Sequence, residues 1–475
     1  MMNIRTMIGW ESHLKPFLYK RLPDRTGWSA VLGTLCALTF IIMVCTGIIL
    51  AFFYVPSPDK AWDSVKYITN DVPAGSILRG LHHWGAGAMV LLVFIHQLVS
   101  YFHGSYVQPR QLTWVTGALL FLVTLGLGFT GYLLPWDMKA YWATIVGANI
   151  PHQYPVVGET ITRIILGGDG MSGFTLTRFY SIHTLLLPSL LVVFMAVHIY
   201  LIRLHNLSDP GERIAGEKVP PLANAKPYRF FPEHMFRTSL AFAVLFTVLL
   251  VLAVQIPAPM EEKAGTVIAD YLPRPEWYYM WVFQLLTYFT GVWEAVGSLL
   301  IPVGGVLLML CVPFMSESRM KGFSRRPVSM TIGLTFIVCV VYLTSQAYSE
   351  ARPYNQEVMV PSVALTAEQQ QGLRIYVERE CAYCHNIQGR GGHKTGPDLS
   401  NMVAKRRTAQ YLSEYIKKPV SKMASSTMPD YDLTTAELNA VSAFLLSLNF
   451  KNGVHPVAMD TQQVRKTIPN TLPKE

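Results

Sequence analysis

Four histidines sit inside two of the most apolar stretches of the chain. His82 and His96 lie in "GLHHWGAGAMVLLVFIHQ" (Gly80–Gln97), and His183 and His198 in "FYSIHTLLLPSLLVVFMAVHIYLIRLH". An imidazole in hydrocarbon without a partner is costly, because its ring nitrogens lose their water. The first pair is fourteen residues apart and the second fifteen. At 3.6 residues per turn and about 1.5 Å per residue, each pair falls on nearly one helix face, about 21–22 Å apart along the axis. Two parallel helices thus present imidazoles at matching depths, with His82 opposite His183 and His96 opposite His198. Opposed neutral nitrogens suit the two axial positions of a heme iron, so the spacing predicts two noncovalent hemes b. Gly33 and Gly47 are fourteen apart, as are Gly117 and Gly131. Missing side chains at those depths would let porphyrin edges approach the backbone. His83, about 100° off the face, and His103 stand outside the pattern.

A second constellation is "CAYCH" (Cys381–His385). Its two thiols bracket a turn and can form thioethers with heme vinyl groups, while His385 ligates the iron. A CxxC can also serve zinc or thiol redox chemistry, but the adjacent His, "GPDL" (Gly396–Leu399) and "TMPDY" (Thr427–Tyr431) argue for a covalent heme c. Met428 is the natural sixth ligand, with Met423 as the alternative, since a thioether raises the potential to suit an electron acceptor. Cys36, Cys45, Cys311 and Cys339 lie singly in apolar runs and read as packing residues.

The elements that must position these groups are membrane helices. Hydrophobic residues make up 51% of the 475 and charged residues 15%, against about a quarter charged in soluble domains. Seven apolar runs are long enough to cross a bilayer, near residues 28–55, 77–102, 112–134, 179–204, 237–256, 296–314 and 327–346. "WYYMWVFQLLTYFT" (Trp277–Thr290) is too short and reads as a helix within a loop. No cleavable signal peptide is apparent, and Ile4–Arg21 reads as a basic amphipathic helix on the membrane surface. The formal charge of +9 lies in loops between spans, which points to topology and not to nucleic acid. Lys and Arg crowd the N-terminal tail, the loop Arg203–Arg237 and the loop Arg319–Arg326. The positive-inside rule therefore puts the N-terminus in the cytoplasm, and seven crossings put the C-terminus outside. Covalent heme attachment takes place outside the cytoplasm and agrees.

The predicted fold is all-α: a membrane bundle of seven spans, with four helices for the hemes and three more, and a small soluble helical domain. The predicted organisation is a surface helix (1–27), a diheme four-helix bundle (28–215), a three-helix part (225–347), a polar linker (348–363), a helical domain (364–450) and a tail (451–475). Thr366 and Thr408 are helix caps in the soluble domain, and "TTAELNAVSAFLLSL" is an amphipathic third helix.

Here the sequence resembles a family. "LHHWGAGAMVLLVFIH", "PRQLTWVTG", "GYLLPWDMKAYWA", "TLTRFYSIH" and "PRPEWYYMWVFQLL" look like cytochrome b of the bc-type quinol oxidases, over roughly residues 5–346. The fifteen-residue His183–His198 step resembles the cytochrome b6 branch. Residues 225–346 resemble subunit IV of that branch, joined here in one chain. Residues after the linker resemble a class I cytochrome c.

The resemblance makes Pro275-Glu276-Trp277-Tyr278 an outer quinol-oxidation site. A carboxylate beside aromatics at the membrane edge suits it, because oxidising a quinol releases two protons and needs a base. An interfacial aromatic anchor is the alternative. Gly131–Trp142 resembles the helix walling that site, with Tyr132 a participant. Arg79 and Arg178, just outside His82 and His183, are placed to hold heme propionates, unless they merely snorkel. Arg203 matches a basic inner quinone-site residue, with His205 nearby. The mitochondrial pattern continues with an acid where this chain has Thr238, so the inner proton donor is open. The covalent extra heme of cytochrome b6 is not expected, since Val31 stands at its cysteine position and Cys36 is a turn and a half away.

These features imply a subunit of a proton-translocating quinol–cytochrome c oxidoreductase, a cytochrome b fused to its own cytochrome c, in a prokaryotic cytoplasmic membrane with the c domain on the periplasmic side. The resemblance further implies a homodimer, a separate Rieske iron–sulfur protein, an inner quinone, and soluble cytochrome c or another high-potential acceptor. The rivals are a diheme quinone-reactive b subunit of a membrane dehydrogenase without bifurcation, and a non-catalytic anchor for the c domain.

Overall fold

A computed structural model describes residues 15–469, apart from 24, 153, 155, 169, 210, 215–216, 218, 220–227, 265–273, 290–292, 294, 316–320, 323–324, 350–356, 380, 389, 392–395, 423–425, 427, 429–430 and 451–452. The chain divides into two units, a membrane unit of Met1–Ala264 with Pro275–Thr344, and a second unit of Gly265–Arg274 with Ser345–Glu475. Most of the expected surface helix Ile4–Arg21 lies outside the described residues, which show one helical turn there, Lys15–Leu18.

Among the described residues, seven helices are long and apolar enough to span a membrane: α1 (Trp28–Ala51), α3 (Gly75–His103), α4 (Gln111–Tyr132), α7 (Gly173–His205), α8 (Phe230–Gln255), α10 (Val296–Met315) and α11 (Pro327–Ser349). Between them lie α2 (Ala61–Asn70), α5 (Met138–His152), α6 (Gly158–Leu166) and α9 (Met280–Thr287). At eight residues α9 is too short to cross, as its sequence suggested.

Helices α1, α3, α4 and α7 form the bundle that carries the four histidines. Phe40 of α1, Met89 and Val93 of α3 and Leu191 of α7 close a buried layer, with Leu120, Phe121 and Leu127 of α4 packed against it. In sequence this layer falls between the two histidine levels. One irregularity matters. Residues Ile182–Leu186 of α7 form a π turn, and it contains His183. A π turn takes up one extra residue, which accounts for a fifteen-residue step on α7 where α3 uses fourteen. Pro188 in the following turn has no N–H to give to the ladder. Leu249 and Ala253 of α8 pack on Leu81 of α3, beside His82. Trp114 of α4 donates from Nε1 to the Met309 carbonyl of α10 at 2.8 Å.

The C-terminal unit holds α12 (Ala367–Glu378), α13 (Ala409–Lys417), α14 (Thr435–Ser447) and α15 (Thr461–Thr467). Thr366, Thr408 and Thr434 cap the first three, each accepting from the backbone N–H three residues on. Helices α12 and α14 cross where a Cβ on Gly372 would lie 2.0 Å from the Ala440 carbonyl. Tyr376 and Phe444 pack at that crossing as a tilted pair, with centroids 5.4 Å apart and ring planes at 59°. The folded part is larger than expected. β1 (Glu357–Pro361), from the expected linker, pairs antiparallel with β4 (Pro456–Asp460), from the expected tail. Val464 of α15 is fully buried. β2 (Asn386–Ile387) and β3 (Arg390–Gly391) form a minimal hairpin after the CxxCH turn.

Candidate functional site

Each of the four membrane histidines backs onto a glycine. A Cβ on Gly47 would lie 3.1 Å from His82 Cε1, on Gly33 3.4 Å from His96, on Gly117 3.2 Å from His198 and on Gly131 2.5 Å from His183. So α1 backs both imidazoles of α3, and α4 backs both of α7. The sequence assigned these gaps to porphyrin edges, whereas in the structure the edge of the imidazole itself lies in them.

His82 and His183 face each other with ring centroids 6.3 Å apart. Two metal–imidazole bonds of about 2 Å, plus the distance from each nitrogen to its ring centre, span that gap, so the pair fits one iron. His96 and His198 also lie within electrostatic reach of one another. His82 Nδ1 is 2.9 Å from Thr46 Oγ1, and that hydroxyl reaches the Ile42 carbonyl at 2.8 Å. With its hydrogen given to the carbonyl, the hydroxyl accepts from Nδ1–H. Nε2 is thereby left with a lone pair for a metal.

The quinol-site expectation concerns the cluster at the His82/His183 end. Pro275 and Glu276 lead into a turn, Trp277–Tyr279. A Cβ on Gly87 of α3 would meet Trp277 Nε1 at 3.3 Å, and one on Gly128 of α4 would meet the Tyr278 hydroxyl at 2.8 Å. Tyr279 donates to the Leu125 carbonyl at 2.5 Å. The segment is therefore inserted between α3 and α4. Burial, with the nearby Glu276 charge, pushes the Tyr278 phenol far above its ordinary range, and burial does the same to Tyr279. Tyr132, at the end of α4, lies within electrostatic reach of Glu276. Glu276, Tyr132 and Tyr278 thus come together as expected.

Two neighbours were not expected. Lys139 Nζ donates to Glu276 Oε1 at 2.7 Å, with side chains 24% and 17% exposed. His83, set aside by the helix-face argument, lies within reach of Glu276, Lys139 and Arg79. Lys139 carried a signal, being a lone cation among aromatics with no acid three or four residues away. Asp137 fixes the wall helix: Oδ1 accepts from Ala140 N at 2.9 Å and Oδ2 from Glu261 N at 3.2 Å. Burial raises the pKa of that carboxyl.

Arg79 and Arg178 bind backbone carbonyls here. Arg79 donates to Ala258 at 2.9 Å and to Pro259, and Arg178 to Ile164 at 2.8 Å. A guanidinium has five donors, so neither arrangement exhausts the group. At the other end of the bundle Arg203 is exposed, and the His205 carbonyl accepts from Arg110 at 3.4 Å. The sequence reading missed Lys321, 2% exposed, which donates to Glu212 and to Ser208 Oγ at 2.7 Å. This pair ties the loop after α10 to the loop after α7. Burial lowers the pKa of the Lys321 ammonium.

In the C-terminal unit Cys381, Cys384 and His385 follow α12 in one turn, with His385 N bonded to the Cys381 carbonyl at 3.1 Å. His385 Nδ1 lies 2.8 Å from the Pro397 carbonyl, which again leaves Nε2 for iron. Burial lowers the His385 pKa and keeps the ring neutral. A Cβ on Gly396 would lie 2.5 Å from that ring. Met428 is half-buried against the core. Its rival Met423 lies outside the described residues, as do Thr427, Pro429 and Asp430.

Comparison with known proteins agrees with this layout. Residues 21–206 match the family model described as cytochrome b/b6/petB, residues 273–366 that of cytochrome b (C-terminal)/b6/petD, and residues 369–449 that of cytochrome c. Such domains take heme b and heme c. The cytochrome bc complex cytochrome b subunit of Chlorobaculum thiosulfatiphilum is 35% identical over 322 residues, covering 67% of this chain and 73% of the relative. The menaquinol:cytochrome c reductase cytochrome b subunit of Bacillus subtilis is 45% identical over 179 residues, 38% of this chain and 80% of the relative. Among solved structures, a chain of a hyperthermophilic respiratory complex III superposes with a TM-score of 0.65 at 25% identity, covering 73% of this chain and 91% of that one. The chain belongs to the cytochrome b family of cytochrome bc complexes, with a cytochrome c domain following in the same polypeptide.

Proposed function

We propose that this chain is the electron-carrying subunit of a quinol–cytochrome c oxidoreductase that oxidises quinol beside Glu276. The observation that supports the reading is Glu276, paired with Lys139 at 2.7 Å and within electrostatic reach of Tyr132 and Tyr278, in a chain that also carries a CxxCH domain. When bound, the hemes supply one-electron carriers, so that one electron of each quinol crosses toward an inner quinone near Arg203 and His205, and the other reaches the His385/Met428 domain by way of a separate Rieske iron–sulfur protein and passes on to a soluble acceptor.

The protons are handled by the chain's own residues. Tyr278 and Tyr279 stay protonated because burial raises their phenols, and both Asp137 oxygens are taken by backbone amides. Glu276 is then the group that accepts a proton from the quinol hydroxyl, and Lys139 holds its carboxylate against the wall helix. General-base catalysis of this kind contributes about 10²–10⁴-fold. Glu276→Gln in the intact complex is expected to lower quinol–cytochrome c reductase activity at least ~100-fold. Pyridine-hemochrome analysis should still give two hemes b to one heme c per chain. Unchanged turnover in that variant would remove the quinol site from this position.

A further inference from the structure

Positive charge in the cytochrome c domain is gathered in one place. Residues 405–422 hold six bases and one acid, whereas residues 357–404 and 423–469 together hold seven bases and nine acids. The six are Lys405, Arg406 and Arg407 before α13, and Lys417, Lys418 and Lys422 at its end and just beyond. All six are exposed. Among the described residues only Lys422 of the six pairs with an acid, Glu414 at 2.6 Å. Arg407 lies over the Tyr411 ring at 4.4 Å, and Tyr411 stacks on Tyr415 with centroids 5.9 Å apart.

Like charges this close repel, and a surface that serves solubility alone intersperses the two signs. A patch of one sign instead draws in an oppositely charged partner and orients it on approach. An interface also needs apolar area inside its polar rim, and Val403 and Val420, each next in sequence to one of the two basic groups, are exposed. The same helix is tied to the segment that carries the sixth-ligand candidate. Tyr415 donates to Ser426 Oγ at 3.2 Å, and that oxygen accepts from Met428 N at 3.3 Å. Anionic lipid would use the charge, but it would not explain why the charge is laid on the helix bonded to the Met428 segment. We propose that the α13 face is the docking surface for the electron acceptor, and that the acceptor is a carboxylate-rich redox protein. One electron leaves ferrous iron at His385/Met428 for the oxidised centre of that partner, so the heme becomes ferric, the partner is reduced and no proton moves. This rests on the heme c reading of the domain and names the partner which that reading leaves open.

The test uses the intact complex and one acceptor in two forms, a basic cytochrome c and the same protein with its lysines succinylated. At low salt the succinylated form is expected to oxidise the c heme with a second-order rate constant at least ~10-fold higher, an advantage that fades as salt rises. It should also bind more tightly at equilibrium, with both proteins oxidised and no electron to transfer. Arg406→Gln/Lys417→Gln/Lys418→Gln should lower both its rate constant and its affinity at least ~10-fold, with the heme c content unchanged. Lys466→Gln, on α15, is the control and should match the parent. A parent that binds the basic form as tightly as the succinylated one, or a triple variant that binds like the parent, overturns this inference and leaves the heme c reading standing. Lys417 and Lys418 shielded from an acylating reagent in phosphatidylglycerol nanodiscs, but not in phosphatidylcholine ones, would give the face to lipid headgroups and overturn it equally. A parent protein without covalent heme would overturn the heme c reading and this inference with it.

Discussion

An imidazole that must offer Nε2 to iron has little freedom to retreat, and the glycine behind it measures how much room is left. The clearances differ: a Cβ would stand 2.5 Å from the ring at Gly131 but 3.4 Å at Gly33. The second is ordinary contact, while the first demands that the ring move. Overpacking of this kind costs about 1–3 kcal/mol. Gly131→Ala is therefore expected to lose most of one heme b per chain by pyridine hemochrome, and Gly33→Ala to keep nearly all of both. Equal retention in the two would remove the graded role of the glycines. Lys139 makes a separate prediction. Its pair with Glu276 is partly exposed, so screening reduces its worth, and Lys139→Gln should slow quinol oxidation on the order of tenfold, about 1.4 kcal/mol. Lys139→Arg keeps the charge and should restore most of the rate. A glutamine variant as fast as the parent would deny the pair a function. The histidines and glycines were legible because a 3.6-residue period puts their spacing into the sequence itself. The Lys139–Glu276 pair was not, because the partners are 137 residues apart and no local period links them.

At the scale of elements, the wall helix α5 owes its place to Asp137. The carboxylate caps α5 through Ala140 N and holds the strand-like segment 261–264 through Glu261 N, while Met138 N binds the Glu262 carbonyl at 2.9 Å and Ala264 N the Trp136 carbonyl at 3.0 Å. Hydrogen bonds to a charged group are worth about 1.5–3 kcal/mol. Asp137→Asn replaces one accepting oxygen with an N–H that opposes a backbone donor. Amide exchange at Met138 and Ala264 should then speed up by roughly tenfold or more; protection equal to the parent's would mean that the clamp lies elsewhere. The seven spans and the non-crossing α9 followed from length and hydropathy alone. The π turn did not. The fifteen-residue histidine step was visible, but hydropathy carries no mark of one extra residue in a turn, and only the backbone shows how both imidazoles return to one face.

For the molecule as a whole, the boundary of the C-terminal domain is the place where composition misled. A polar, proline-containing stretch reads as linker and a polar end as tail, yet β1 and β4 pair over five residues and α15 follows β4 directly. Five-residue strands give little periodicity to find, and their pairing joins segments about a hundred residues apart. The consequence is measurable. A heme-loaded domain running from residue 357 to 469 is expected to fold with one covalent heme and a single cooperative melt. One cut at 364 and 450 loses the strand pair and Val464, whose burial alone is worth about 1.5–3 kcal/mol. A change of 1 kcal/mol shifts the Tm of a domain this size by about 4–8 °C, so the shorter form should melt at least ~6 °C lower. Equal Tm values would return residues 357–361 to the linker.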